Sequence, residues 1–209
     1  MNLGRSNQKQ ANQKKPAGAS GKSALPKLHS VGALLKGREF VGSFEVGGSA
    51  YNFTYAPSKA ALVGRRLQLT GSLTVIDARQ STRPQPHSQK DVRATLVGIQ
   101  GGIGSAPPRK KPPAEVYPAL AGVPPVESTG SLSFAGVLYF HFEPLVGSAI
   151  GLKADVSRLQ LNARLYPVDD KERALQAAYS QASDALLGKQ IDQPAADEAV
   201  SELNKLLAA

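Results

Sequence analysis

Cysteine and tryptophan are absent from this sequence, and it has a single methionine. The lack of cysteine excludes disulfides, cysteine-ligated zinc and a thiol nucleophile. It does not decide the compartment, because a cysteine-free chain is stable under oxidising and reducing conditions. The first 27 residues contain no apolar region of the kind found in secretory signals. We therefore expect a cytoplasmic protein.

Long apolar runs are also missing. No stretch approaches the roughly 18 consecutive apolar residues of a membrane-spanning helix, so the sequence predicts no membrane span. Histidine is scarce, with three residues in a chain of 209, whereas a zinc site needs three or four ligands. We therefore predict neither a metal nor a cofactor.

Acidic residues are absent from the first 38 positions, which contain eight lysines and arginines. The other 17 basic residues nearly balance the 16 acidic ones, so the net charge of +9 belongs mainly to this segment. Its composition, rich in Asn, Gln, Lys and Ser, predicts a disordered basic arm over residues 1–36. Residues 1–38 could bind nucleic acid or an anionic surface, or the arm could be a solubilising tail.

Six segments of the central region alternate apolar and polar residues with the two-residue period of a strand. The first two, 40–46 and 51–55, flank Gly47-Gly48, which suits a hairpin turn because glycine adopts positive φ at little cost. The other four segments span 66–75, 92–99, 131–143 and 158–166.

Each segment has one apolar and one polar face, which is typical of antiparallel sheets. Gly42, Gly71 and Gly136 fall on the apolar faces and indicate curved strands. The predicted fold is mainly all-β, namely an antiparallel β-sandwich or a partly closed β-barrel of about six to eight strands over residues 37–168. Two C-terminal α-helices complete it.

The C-terminal segment, residues 169–209, changes to a helical period. Asp169 and Glu172 have the spacing of a capping box, so capping explains the carboxylate pair at 169 and 170 better than catalysis does. Gly188 ends this helix, and Pro194 suits the first turn of a second one. The two helices could cover an edge of the sheet or bind a partner.

The longest predicted loop spans residues 100–128 and contains seven prolines. Arg109, Lys110 and Lys111 lie between two proline pairs, which predicts an exposed tip that could contact a partner or an anion. The segment could instead dock as a polyproline II helix, or be a plain exposed loop. The glycines at its start do not match the spacing of a phosphate-binding loop.

The strongest candidate for a site is a trio on the last long strand segment. Tyr139, His141 and Glu143 are two positions apart, so they point to the same face. A histidine and a carboxylate together could bind a ligand, hold a metal or serve as acid and base. The alternative is the ordinary polar face of a strand. No residue is assigned a catalytic or metal-binding role.

These patterns leave several functions open. A non-enzymatic binding or assembly module, with a protein partner or self-association, is favoured because no catalytic motif is present. A second hypothesis is a carrier of a small apolar ligand. Its interior would be lined by Phe40, Phe44, Phe53, Phe134, Phe140 and Phe142.

Two further hypotheses concern nucleic acid and catalysis. A basic arm before a β-sandwich resembles the general plan of small capsid proteins, which implies a nucleic-acid-associated structural protein. No sequence motif supports this resemblance. An enzyme centred on Tyr139, His141 and Glu143 is the last hypothesis.

Overall fold

The computed structural model describes residues 25–79, 85–100, 136–166, 168–187 and 190–209. Within these ranges, a 3₁₀ helix spans Gly147–Ile150. The strands and α-helices of the described residues are β1 (Ser30–Lys36), β2 (Glu39–Val46), β3 (Ser49–Val63), β4 (Arg66–Asp77), β5 (His87–Gln100), β6 (Gly136–Phe142), β7 (Gln160–Leu165), α1 (Asp170–Leu187) and α2 (Gln193–Ala208).

The seven described strands form a closed barrel in which each strand pairs with its neighbour in sequence. Six of the seven pairings are antiparallel. The barrel closes between β1 and β7, which run parallel, with Val31 opposite Leu161 and Ala33 opposite Ala163. The predicted barrel with two C-terminal helices is confirmed, and closure decides between the barrel and the sandwich. The parallel seam differs from the fully antiparallel prediction.

Strand β1 begins before residue 37, where composition placed the start of the β domain. Val31, Ala33 and Leu35 are buried, whereas Ser30 and Lys36 are exposed. This short alternation is enough to form a strand because β2 and β7 supply hydrogen-bonding partners on both sides. Of the predicted arm, residues 1–24 lie outside the described residues.

The boundaries of other elements also differ from the predicted ones. Strand β5 starts at His87, five residues before the segment 92–99 that alternation predicted. The proline-rich loop lies outside the described residues apart from Gln100, the last residue of β5. The predicted strand over 131–143 is described from Gly136 onward.

Two glycines allow neighbouring strands to approach closely. A Cβ atom on Gly71 would lie 2.2 Å from the carbonyl oxygen of Ala56, and one on Gly42 would lie 2.2 Å from that of Gly32. The register also shifts beside Gly71, at bulges in the β3–β4 and β4–β5 pairings. Bulges bend a strand and increase its twist, so a bend accompanies Gly71, whereas the register of β2 with β3 is regular through Gly42.

Aromatic side chains fill the barrel interior, and one of them comes from α1. Phe40, Tyr55, Phe140 and Tyr179 are fully buried. The Tyr179 ring centroid lies 5.9 Å from that of Phe40 and 6.3 Å from that of Phe140. Helix α1 therefore packs onto the barrel core, and its buried face includes Leu175, Ala178 and Ala182.

The start of α1 is fixed by two carboxylates, as the capping-box spacing predicted. Asp169 Oδ1 accepts a hydrogen bond from the amide of Glu172 at 2.7 Å. Glu172 accepts from the amide of Val168 at 2.8 Å and from that of Gly37, in the β1–β2 turn, at 2.6 Å. Glu172 thus ties the helix to the barrel.

Helix α2 packs on α1 and on the second half of β3. Asp192 caps its first turn by accepting from the amide of Ala195, and proline occupies that turn as predicted. Asn204 accepts from the amide of Ala60 at 2.8 Å and donates to its carbonyl oxygen at 2.9 Å. Arg38 donates to the carbonyl oxygen of Leu207 near the helix end.

Candidate binding surface

The outer face of β6 carries the trio singled out from the sequence. Phe140 and Phe142 point into the barrel and are buried. The alternate residues Tyr139, His141 and Glu143 therefore lie on the outside, where Tyr139 is half-buried and the other two are exposed. The alternation of β6 dictates this arrangement.

Neighbouring strands surround the trio with polar side chains. Strand register places His141 beside Thr95 of β5 and Gln160 of β7, and Gln68 of β4 next to Thr95. We call the resulting area the polar face. It consists of Gln68, Arg93, Thr95, Gln100, Tyr139, His141, Glu143, Gln160 and Asn162.

Hydrogen bonds order the centre of the polar face. Tyr139 Oη lies 2.6 Å from Gln100 Oε1, to which it donates. His141 Nε2 lies 3.1 Å from Gln160 Oε1, and Gln160 Nε2 donates to Asn162 Oδ1 at 2.7 Å. Each bond limits the rotamers of its side chains, which lowers the entropy that ligand binding would cost.

The charges at one side of the polar face neutralise each other. Arg93 lies 3.4 Å from both carboxylate oxygens of Glu143, and the two side chains are about half exposed. Gln68 Nε2 also donates to Glu143 at 3.4 Å. An exposed ion pair of this kind contributes little stability, but it leaves this part of the surface without net charge.

His141 and Glu143 form no hydrogen bond with each other among the described contacts of the trio. The hydrogen bonds of His141 and Glu143 run to Gln160, Gln68 and Arg93 rather than to each other. Within the described ranges, no group of three or more His, Asp or Glu side chains could hold a metal ion.

Most of the described aromatic residues named for the carrier hypothesis are buried in the barrel. Phe53 and Phe142 are buried and Phe44 is half-buried, while Phe134 lies outside the described residues. Tyr55 Oη lies 3.1 Å from the carbonyl oxygens of both Leu69 and Val92 and can donate to either. Tyr55, on β3, therefore contacts the backbone of both β4 and β5.

Burial affects the two interior tyrosines in the same direction. Loss of hydration raises the pKa of Tyr55 well above its usual value, and the nearby Tyr179 raises it further. Burial alone raises the pKa of Tyr179. Because a charged phenolate is poorly solvated in an apolar interior, both rings stay protonated and act as core side chains.

Arg109, Lys110 and Lys111 lie outside the described residues, as do positions 1–24 of the basic arm. Of the described helices, none is long and apolar enough to cross a membrane.

Several residues of the surface were missed by sequence reasoning. Strand register brings three further residues next to the trio, and the sequence did not indicate these contacts. They are Gln100, Gln160 and Asn162. Alternation had placed Gln160 and Asn162 on the polar face of their segment. It could not show which strand would lie beside that segment. Alternation had placed Tyr55 on a strand, and the helical period had placed Tyr179 on the apolar stripe of the first C-terminal helix, but the sequence does not reveal that the two rings share the barrel interior.

The fold defines a class: a closed seven-stranded barrel with a C-terminal helical pair packed on it. Comparison with known proteins adds no narrower assignment. No family model matches the chain, and neither the curated proteins nor the solved structures contain a significant match.

Proposed function

We propose that this protein is a non-enzymatic binding module that recognises an uncharged, hydrogen-bonding ligand, such as an oligosaccharide, on the polar face. The observation that supports this most is the ordered row of His141, Gln160 and Asn162 beside Tyr139. Binding sites commonly combine an aromatic surface with a few fixed polar groups.

The remaining hydrogen-bonding capacity of the polar face suits such a ligand. The amide nitrogens of Asn162 and Gln100 make no hydrogen bond with another described residue, so each offers two N–H donors. The half-buried ring of Tyr139 lies between them and provides apolar contact area at low entropic cost. The Arg93–Glu143 pair leaves no uncompensated charge of its own, which argues against a strongly anionic ligand at this place.

The carrier hypothesis is less well supported, because the interior aromatic rings contact one another. Phe40 and Tyr55 stack at 6.4 Å between ring centroids, and Phe142 meets Tyr55 edge-on at 5.1 Å. An apolar ligand would have to displace these contacts, which are worth about 0.5–1.5 kcal/mol per pair beyond their buried area.

A titration of the full-length, ¹⁵N-labelled protein followed by NMR tests the proposal against its alternatives. Three probes are added separately: a set of neutral oligosaccharides, a single-stranded oligonucleotide and oleate. We expect an oligosaccharide to shift the backbone amide signals of Tyr139, His141 and Gln160. Tyr139→Ala should weaken this response at least tenfold, whereas Thr74→Ala, on the outer face of β4, should leave it unchanged.

The other outcomes point elsewhere. Oleate shifts confined to interior residues such as Phe40 and Phe140 would favour the carrier. Salt-sensitive oligonucleotide shifts confined to residues 1–38 would favour nucleic-acid association. If none of the oligosaccharides perturbs the polar face, the proposed ligand class is wrong.

A further inference from the structure

Gly98 lies on the outer face of β5, directly opposite Tyr139 of β6. Neither its backbone nor its packing requires glycine. Its φ is not positive, and an added Cβ atom would meet no atom of the described residues closer than 3.6 Å. At Gly71, by contrast, an added Cβ atom would lie 2.2 Å from the carbonyl oxygen of Ala56. The missing side chain at position 98 therefore needs another explanation.

The register shift beside Gly98 does not supply that explanation. Leu96 pairs with Phe140 and Gly98 pairs with Tyr139, so Val97 is the extra residue of a bulge. A bulge requires glycine where its backbone adopts positive φ, and Gly98 does not adopt it. A glycine inside a strand weakens the strand and often marks a place where a ligand approaches closely.

The space above Gly98 has room for a methyl group. Among the described residues, the atoms nearest to an added Cβ are Cδ2 of Tyr139 at 3.6 Å and Cβ of the same residue at 4.0 Å. A carbon atom at this position would contact the tyrosine side chain at an ordinary van der Waals distance, without overlap. We call this space, bounded by Gly98 and the Tyr139 side chain, the Gly98 notch.

Gln100 places a hydrogen-bond donor beside the Gly98 notch. It follows Gly98 by two positions on β5, so both residues face outward, roughly 7 Å apart along the strand. Its Oε1 atom accepts from Tyr139 Oη at 2.6 Å, which holds the amide at the phenol end of the ring. Its Nε2 atom makes no hydrogen bond with another described residue, so it can donate to a carbonyl oxygen of a ligand.

A methyl group next to a carbonyl oxygen is the pattern of an acetamido group. We propose that the polar face selects oligosaccharides of N-acetylated hexosamines. The acetamido methyl lies in the Gly98 notch, and the acetamido oxygen accepts from Gln100 Nε2. The amide N–H groups of Asn162, on the strand at the other side of Tyr139, remain for a hydroxyl group of the same sugar. This inference rests on the proposed function and adds to it the substituent that the ligand carries.

Two trisaccharides that differ only in this substituent provide the test. Triacetylchitotriose and cellotriose share their linkage and ring configuration, but the first carries an acetamido group where the second carries a hydroxyl. Each is titrated into the full-length, ¹⁵N-labelled protein, and the Kd is taken from the amide shifts of Tyr139, His141 and Gln160. A buried methyl and one further hydrogen bond correspond to about tenfold in affinity. We therefore expect the Kd of triacetylchitotriose to be about tenfold lower, with nuclear Overhauser contacts between its acetyl methyl protons and the Tyr139 ring.

Filling the Gly98 notch tests its role. Gly98→Ala puts a methyl group where the ligand methyl would lie, so it should remove the preference between the two trisaccharides. Gln100→Glu removes the donor but keeps an acceptor for Tyr139 Oη, and it should weaken triacetylchitotriose binding about fivefold. Ser88→Thr adds one methyl group at an exposed position of β5 outside the polar face and should preserve the preference. Circular dichroism and urea unfolding check that the three variants keep their fold.

The possible outcomes separate the acetamido inference from the proposed function. Equal affinity of the wild-type protein for both trisaccharides, with shifts on the polar face, would overturn the acetamido inference and leave the proposed binding module in place. A preference for triacetylchitotriose that survives Gly98→Ala would also overturn it, because the methyl group would then lie elsewhere. If neither trisaccharide shifts the polar face, the acetamido inference is wrong together with the proposed ligand class.

Discussion

The space beside a glycine in the barrel wall determines whether a larger side chain can replace it. The backbone of Ala56 and Pro57 passes so close to Gly71 that an added Cβ atom would lie 2.2 Å from a carbonyl oxygen and 2.6 Å from Pro57 Cα. At Gly98, by contrast, the nearest atom to an added Cβ is Cδ2 of Tyr139 at 3.6 Å, an ordinary contact. The two glycines thus look alike in sequence but differ in their surroundings.

This contrast predicts opposite results for one substitution. Gly71→Ala should lower the free energy of unfolding by about 2–4 kcal/mol, because the clash is with backbone and the strands must separate. Gly98→Ala should change it by less than about 1 kcal/mol. Urea unfolding of both variants measures the difference, and equal losses would show that β3 and β4 are not as close as described.

The interior tyrosines show a similar contrast. The Tyr55 hydroxyl has two carbonyl oxygens within hydrogen-bonding distance, whereas the buried Tyr179 hydroxyl has no hydrogen-bond partner among the described residues. Packing with Phe40 and Phe140 therefore explains Tyr179 better than hydrogen bonding does.

At the scale of elements, the second half of β3 explains the position of α2. Strand β2 pairs with β3 from Ser49 to Tyr55 only, so the same side of β3 beyond Tyr55 has backbone groups that β2 does not reach. Unpaired strand edges attract other chains and must be covered. Asn204 covers part of this edge, because its side-chain amide bonds both backbone groups of Ala60, as a neighbouring strand would.

Removal of this amide should loosen α2. Asn204→Ala should lower the free energy of unfolding by about 1–3 kcal/mol, since two part-buried hydrogen bonds are lost and two backbone groups are left without partners. Hydrogen exchange of the Ala60 amide should accelerate by a larger factor than exchange in β6. Glu202→Ala, which breaks only an exposed pair with Lys205, is the control and should cost less than about 0.5 kcal/mol. If Asn204→Ala and Glu202→Ala were equally stable, the hydrogen bonds between Asn204 and Ala60 would not stabilise the fold.

At the scale of the whole molecule, the buried tyrosines make stability depend on alkaline pH. Their folded-state pKa values are raised, while an unfolded tyrosine ionises near pH 10. The contribution is therefore fully present below about pH 10 and is lost as pH rises toward the folded pKa values.

We expect the free energy of unfolding, measured by urea titration at each pH, to fall steeply above about pH 10, by up to about 1.4 kcal/mol per pH unit for each buried tyrosine. Tyrosinate absorbance of the native protein should report fewer than the six tyrosines of the sequence until unfolding begins. Tyr55→Phe should reduce the pH slope by about half. Titration of all six in a protein that retains its circular dichroism would contradict the buried positions.

Charge is unevenly distributed along the chain: the N-terminal segment is basic, and the C-terminal helical segment is acidic. In the sequence, the barrel strands come between these two segments. The barrel is closed by the parallel pairing of its first and last strands. Closure removes the free edges that β1 and β7 would present in an open sheet, so strand addition at β1 or β7 is not expected.

The sequence alone determined the local elements. Alternation identified most strands because side chains of a strand point to opposite faces, and the capping spacing of Asp169 and Glu172 located the start of α1. It also placed Tyr139, His141 and Glu143 on one face. These features depend on residues close together in the chain, so their physical cause is visible in the sequence.

Tertiary structure decided what depends on distant residues. The β1–β7 seam joins Val31 to Leu161, and no local pattern specifies that pairing. Strand register brought Gln160 beside His141, and helix docking brought Tyr179 against Phe40. Such contacts form because burying apolar surface and satisfying backbone hydrogen bonds are properties of the complete fold. Periodicity therefore predicted a β-sandwich or a barrel, and only the folded chain decided between them and defined the seam, the core and the polar face.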